Sequence, residues 1–166
     1  MPSVEAPILL RSSLKTDPHV KTLYFDSNYL FRLYSTEAGS EAVQKLAGST
    51  QCITSAWHGR AELASALLRK RRESALPDEA IQEIRYQIRD DRENGCLVFL
   101  DHSESITARL EWVLEQAPKS TFIRAADALH LACASEHGYK KVYSNDRHFL
   151  LAASLFGLEG VNVIGG

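Results

Sequence analysis

The 166-residue chain lacks most of the features that would assign it at a glance. It has no strong charge of either sign. Nineteen basic residues against 21 acidic ones leave a net −2, so no global field advertises nucleic acid and any such contact must come from a local patch. Cysteine is scarce: Cys52, Cys96 and Cys133 stand far apart, odd in number and without CxxC spacing. They read as buried thiols in a reducing compartment rather than as disulfides or a zinc site. No apolar run approaches membrane-spanning length, and Ile8-Leu9-Leu10 is too short for the core of a signal peptide. The expectation is a cytoplasmic protein without membrane contact. No glycine-rich turn follows a strand, which excludes a dinucleotide-binding domain, and there is no internal repeat or low-complexity tract. What remains is an ordinary globular composition, 45% hydrophobic and 24% charged, at a length suited to one domain.

The residue pattern divides that length. Pro2, Pro7 and Pro18 predict an irregular N-terminal arm over residues 1–20, with the domain spanning 21–166. Short β-favouring runs predict strands at 23–25, 52–54, 97–100, 141–143 and 161–163. Helical spacing predicts helices from Ser27 to near Gly39, over 41–47, from Ser55 as N-cap through Arg72, and from Pro77 to Asn94-Gly95. Three more are predicted over 103–116, 123–137 and 147–156. Strands alternating with helices imply an α/β fold, with a mainly parallel sheet covered on both faces.

In such sheets ligands gather beyond the carboxyl ends of the strands. That rule singles out four acids. Asp26 ends the first strand, Asp146 lies just past the fourth, and Asp127 sits in the first turn of the helix before it. Glu62 is placed two turns into the helix after the second strand. Phosphodiester hydrolysis must activate a water and stabilise charge on the phosphate and the leaving oxygen, and a pair of divalent ions does both. Mg²⁺ and Mn²⁺ prefer carboxylate oxygens, and without metal such a cluster should repel and raise at least one pKa. Taken singly each acid has a duller explanation, because an Asp after a strand often only caps a helix.

The residues around these acids also resemble a family. Tyr24-Phe-Asp26-Ser-Asn28, Arg60-Ala-Glu62-Leu-Ala-Ser-Ala-Leu67, Arg124-Ala-Ala-Asp127-Ala-Leu-His-Leu-Ala132 and Ser144-Asn-Asp146-Arg-His-Phe149 occur in the order of PIN-domain nucleases. The nearest likeness is to the VapC-like toxins of bacterial toxin–antitoxin pairs, over residues 22–164. The resemblance implies a three-layer α/β/α sandwich and a Mg²⁺- or Mn²⁺-dependent endoribonuclease that leaves a 5′-phosphate. It makes Asp26, Glu62, Asp127 and Asp146 the metal-binding acids, with Asn28 and Ser144 supporting the pocket. It also implies an RNA substrate, a cognate antitoxin and a homodimer. The N-terminal arm departs from the family pattern, since many relatives begin almost at the first strand.

Other residues carry two readings. Arg69-Lys70-Arg71-Arg72 is either favourable charge at a helix C-terminus or a patch for RNA or an acidic partner. Arg124, one turn before Asp127, reads as an intrahelical ion-pair partner or a helper at the pocket rim. His58 and His130 lie within reach of the acids but read as structural, and His148 as a surface residue. Trp57 and Trp112 read as core or interface anchors rather than base-stacking platforms. A haloacid-dehalogenase-type phosphatase would need an acid where Asn28 stands. The remaining rival is a PIN-like module that binds RNA or protein without cutting.

Overall fold

The computed structural model describes residues 21–165; the predicted arm over 1–20 lies outside them. Five strands alternate with helices: β1 (Thr22–Phe25), α1 (Ser27–Tyr34), α2 (Ser40–Ala47), β2 (Cys52–Ala56), α3 (Gly59–Arg72), α4 (Asp78–Glu93), β3 (Leu97–Leu100), α5 (Glu104–Gln116), α6 (Ala125–Glu136), β4 (Lys141–Tyr143), α7 (Arg147–Ala152), a 3-10 helix over Ala153–Phe156, and β5 (Glu159–Val161). The sheet order is β3-β2-β1-β4-β5, and every pairing is parallel. The chain winds outward from β1 through β2 to β3, then returns to the other side of β1 as β4. The order therefore reverses between β1 and β4, the place where such sheets open a crevice.

Period-2 alternation feeds two cores. Leu23, Phe25, Ile53 and Leu97 face a layer that includes Leu30, Leu33, Val43 and Leu63, whereas Tyr24, Ala56 and Val142 face Ile106, Leu131, Phe149 and Phe156. Helices α1 to α3 thus contribute to one face, and α5 to α7 to the other. This is the three-layer sandwich that the resemblance implies. All three cysteines are buried thiols. Among the described residues no helix is long and apolar enough to cross a membrane.

The structure corrects some boundaries. Ser55 is not a helix cap. β2 continues to Ala56 because Ser55 and Ala56 pair with Phe99 and Leu100, so the helix begins only at Gly59 and Glu62 falls in its first turn. α1 ends at Tyr34 rather than near Gly39, because Ser35 turns extended. The Ser35 and Ser40 hydroxyls bond across the gap at 3.1 Å. β5 lies two residues earlier than the sequence pattern suggests. The Val163 N–H is drawn instead to the Tyr29 hydroxyl at 2.8 Å, and that hydroxyl donates to Asn162 Oδ1 at 2.8 Å.

Tyr29 thereby pins the C-terminal segment to α1. Tyr29→Phe keeps the buried ring but takes the acceptor from the half-buried Val163 N–H, whereas exposed Asn162 still accepts the Ile164 N–H. It should lower stability in urea unfolding by about 1–3 kcal/mol without changing the far-UV spectrum.

Candidate metal centre

Asp26 is the pivot of the site. It follows the buried Phe25, caps α1 by accepting the Tyr29 N–H on Oδ1 at 2.9 Å, and donates its own N–H to the Tyr143 carbonyl at 3.2 Å. The Ser144 hydroxyl donates to its other oxygen, Oδ2, and the same Oγ accepts the Asp146 N–H at 2.9 Å. One hydroxyl therefore ties the end of β1 to the end of β4. Asp26 is only 3% exposed. Burial pushes its carboxyl up to about 6, against the pull of the Ser144 and Tyr29 hydrogen bonds, and the neighbouring Asp127 adds to the rise.

Asp146 caps α7, accepting from the His148 and Phe149 N–H groups on Oδ1 at 2.8 and 3.1 Å. Its Oδ2 stands 3.9 Å from Arg124 Nη1. Arg124 is not an intrahelical partner of Asp127. It precedes α6 in extended backbone, and its exposed side chain reaches toward Asp146. At that distance and exposure the pair is a loose rim contact.

Glu62 is held from α6. Its Oε2 lies 2.8 Å from His130 Nε2, whose ring is buried, and His130 Nδ1 lies 3.1 Å from the hydroxyl of Tyr24. Burial alone would raise the Glu62 carboxyl. The hydrogen bond and charge of His130, with the charge of His58, outweigh that and hold it below its ordinary value. His58 lies in the opposite position. Burial and the neighbouring His130 lower it to about 4. Asp127 is half-buried in the first turn of α6 and makes no side-chain hydrogen bond among the described residues. Burial raises its carboxyl, Asp146 raises it further, and His130 and Arg124 oppose the rise.

Glu62, Asp127 and Asp146 line one cleft of about 770 Å³ at the carboxyl edge of the sheet, and Asp26 lies buried behind Ser27 and Asn28. Asn28 is an exposed rim residue with no hydrogen bond to an acid. Ser144 does support the pocket. Of the basic run, Arg69, Lys70 and Arg72 line the same cleft. Lys70 is paired with Glu37 and lies over the Phe31 ring at 5.5 Å, whereas Arg71 forks onto Asp78 at 2.8 and 3.2 Å. Trp57 and Trp112 are not core residues, being 58% and 52% exposed. The roles of Tyr24 behind His130 and of Glu37 opposite Lys70 had no signal in the sequence, because both partners are distant along the chain.

The donor set suits a hard divalent cation. Two carboxyls are pushed upward, and Asp127 has its oxygens uncommitted. Of the four acids singled out in the sequence, Glu62, Asp127 and Asp146 line the cleft, and Asp26 beside it has both oxygens hydrogen-bonded.

The Asp26 shift has a definite sign for stability. Its folded pKa of about 6 exceeds the ordinary 3.8, so between those values the folded state holds the proton more tightly. Its contribution to stability is therefore lost as pH rises through that window. Comparing wild type with Asp26→Asn cancels the other titrating groups. In metal-free urea unfolding, the variant should gain on wild type by roughly 2–3 kcal/mol between pH 3 and 7. A difference that stays flat with pH would contradict the buried, raised carboxyl.

Comparison with known proteins agrees with this architecture. The sequence matches the family model for the PIN domain over residues 23–155. No curated protein matches it. Among solved structures it is similar to a chain in the crystal structure of VapBC2 from Rickettsia felis bound to a DNA fragment from their promoter. The TM-score is 0.59 at 16% identity, covering 86% of this chain and 98% of that one. At that identity the likeness speaks for the fold, and the family model speaks for the sequence. The chain belongs to the PIN domain family.

Proposed function

We propose that this protein is a divalent-metal-dependent endoribonuclease and the toxin of a toxin–antitoxin pair. The observation that carries the reading is one cleft lined by Glu62, Asp127, Asp146, Arg69 and Arg72, with buried Asp26 at the neighbouring switch point between β1 and β4. Mg²⁺ or Mn²⁺ bound there would supply charge stabilisation for the phosphate and the activated water.

The protein's own residues do the rest. Ser144 holds the Asp26 carboxyl at the end of β1, and the Tyr24–His130 pair sets the position of Glu62. Asp127, free of competing hydrogen bonds, is the acid best placed to take a proton from an attacking water. Arg69 and Arg72, one turn apart on α3, offer cations to the RNA phosphates, and Arg124 offers another at the rim beside Asp146. The acidic pocket in turn is a natural target for a basic side chain from an antitoxin. The structural neighbour is itself a VapBC pair. A homodimer fits the depression lined by Phe122, Leu151 and Leu155, where Phe122 and Leu151 are 58% and 65% exposed.

Purified protein should cleave single-stranded RNA with Mg²⁺ or Mn²⁺, leaving 5′-phosphate ends, and should lose cleavage on chelation. Asp26→Asn and Asp127→Asn should fall to the background of a mock preparation. RNA binding without metal-dependent cleavage would favour the non-cutting module, and equal cleavage by wild type and both variants would rule out the site.

Arg69→Ala with Arg72→Ala should weaken RNA binding across sequences. In a salt titration, log K against log salt should become shallower by about 0.7 for each phosphate that the variant no longer neutralises.

A further inference from the structure

Beside the acidic cleft lies a cluster with different donor chemistry. A ring nitrogen of His58, a ring nitrogen of His130 and an oxygen of Glu62 all lie within 4.8 Å of one another. They come from separate places in the chain: the residue before α3, the first turn of α3, and the middle of α6. The two rings pack with centroids 4.2 Å apart. Hydrolysis accounts for His130, which positions Glu62, but gives no reason for a second imidazole, His58, to pack against it.

Each ring is fixed by an oxygen on one of its nitrogens. His58 Nε2 lies 3.0 Å from the Ala126 carbonyl, which can only accept, so Nε2 carries the proton and the neutral ring keeps its lone pair on Nδ1. His130 Nδ1 is held by the Tyr24 hydroxyl at 3.1 Å, leaving Nε2 toward Glu62 at 2.8 Å. A histidine held through one nitrogen and offering the other is the usual form of a metal-ligating imidazole. Ligands about 2.0–2.2 Å from a tetrahedral ion stand roughly 3.3 Å apart, so Nε2 and Oε2 need to separate by only about half an ångström. The Nε2 proton would leave to solvent as the ion enters, with the ring's remaining proton on Nδ1 donated to the Tyr24 oxygen, so the ligating ring stays neutral. Helix α3 crowds the same ring: a Cβ at Gly59 would lie 3.0 Å from His130 Cε1 and 2.8 Å from Ser55 Oγ. That Oγ is fully buried and has no hydrogen-bond partner, an uncommitted polar atom beside the cluster.

We propose that His58, Glu62 and His130 form a transition-metal site of the Zn²⁺ class. Two imidazoles and one carboxylate match Zn²⁺, whereas Mg²⁺ favours oxygen ligands and retains its waters. The site goes beyond the nuclease reading, because it rests on nitrogen donors outside the four-acid set. It shares only Glu62 with that set. An ion held there withdraws Glu62 from the hard-metal pocket, so Zn²⁺ opposes Mg²⁺ or Mn²⁺ in any cleavage the protein performs.

The test uses Co²⁺ as a visible probe on the full chain without Mg²⁺. Wild type should bind one equivalent with the intense d–d bands of a four- or five-coordinate ion, displaced by Zn²⁺ but not by excess Mg²⁺. Loss of a ligand in His58→Ala or His130→Gln should weaken binding by more than about 100-fold, the upper end of what losing even an outer-shell partner costs. Asp146→Asn should bind within a few-fold of wild type. Because a ring variant can also disturb the fold, ¹⁵N-imidazole spectra of wild type provide a second reading. Zn²⁺ should move the His58 and His130 resonances and leave exposed His148 in place. The proposal is overturned if Co²⁺ gives no such bands, or if the bands survive His58→Ala and vanish in Asp146→Asn. Unmoved His58 and His130 resonances overturn it equally. These readouts are independent of RNA cleavage, so the site and the nuclease reading fail separately.

Discussion

The Ser144 hydroxyl is the contact on which the site depends. It donates to buried Asp26 and accepts the backbone N–H of Asp146, joining the ends of β1 and β4 across the switch point. Taking a carboxylate out of water costs several kcal/mol unless it is hydrogen-bonded or neutralised. Asp26 has two donors, from Ser144 and Tyr29, and still has its carboxyl raised. The arrangement is therefore held together but not satisfied. On the proposed reading a bound cation would supply the missing partner, which a simple helix cap would not need.

Capping does not preclude the proposed metal-binding role. Asp26 and Asp146 do cap α1 and α7, and Glu62 and Asp127 lie in the first turns of α3 and α6. The unpaired N–H groups of a helix N-terminus favour negative charge, which offsets part of the repulsion among crowded carboxylates. Four helices that start at the same edge of the sheet can therefore bring four acids together. The other half of the support comes from the face covered by α6. Tyr24 on β1 holds His130, and His130 holds Glu62, so the central strand positions acids through both of its faces.

The order of the strands, and the bounds of two of them, were legible in the sequence because they depend on local runs. The runs at 97–100 and 141–143 are strands at those same bounds. What depended on partners was not legible. Ser55 has the chemistry of a cap, yet the register with Phe99 carries it into β2. Arg124 has the spacing of an intrahelical pair with Asp127, yet α6 begins one residue after it and the arginine turns to Asp146. Within the basic run, Asp78 takes Arg71 and Glu37 takes Lys70, a division no local pattern encodes. Trp57 and Trp112 are large and apolar, but more than half of each side chain's surface is exposed among the described residues.

The sequence by itself determined which elements form, that the sheet is parallel, and which four carboxylates belong to its carboxyl edge. Those follow from periodicity, from turn residues and from the handedness of crossovers, all of which act over short stretches of chain. Only the tertiary structure decided how each acid is held: Asp26 buried beneath Ser144, Glu62 tied to His130, Asp127 left uncommitted, and Asp146 fixed by the first turn of α7. The physical reason is that desolvation and hydrogen-bond satisfaction depend on which groups from distant segments arrive at the same point. Only the packed chain sets that.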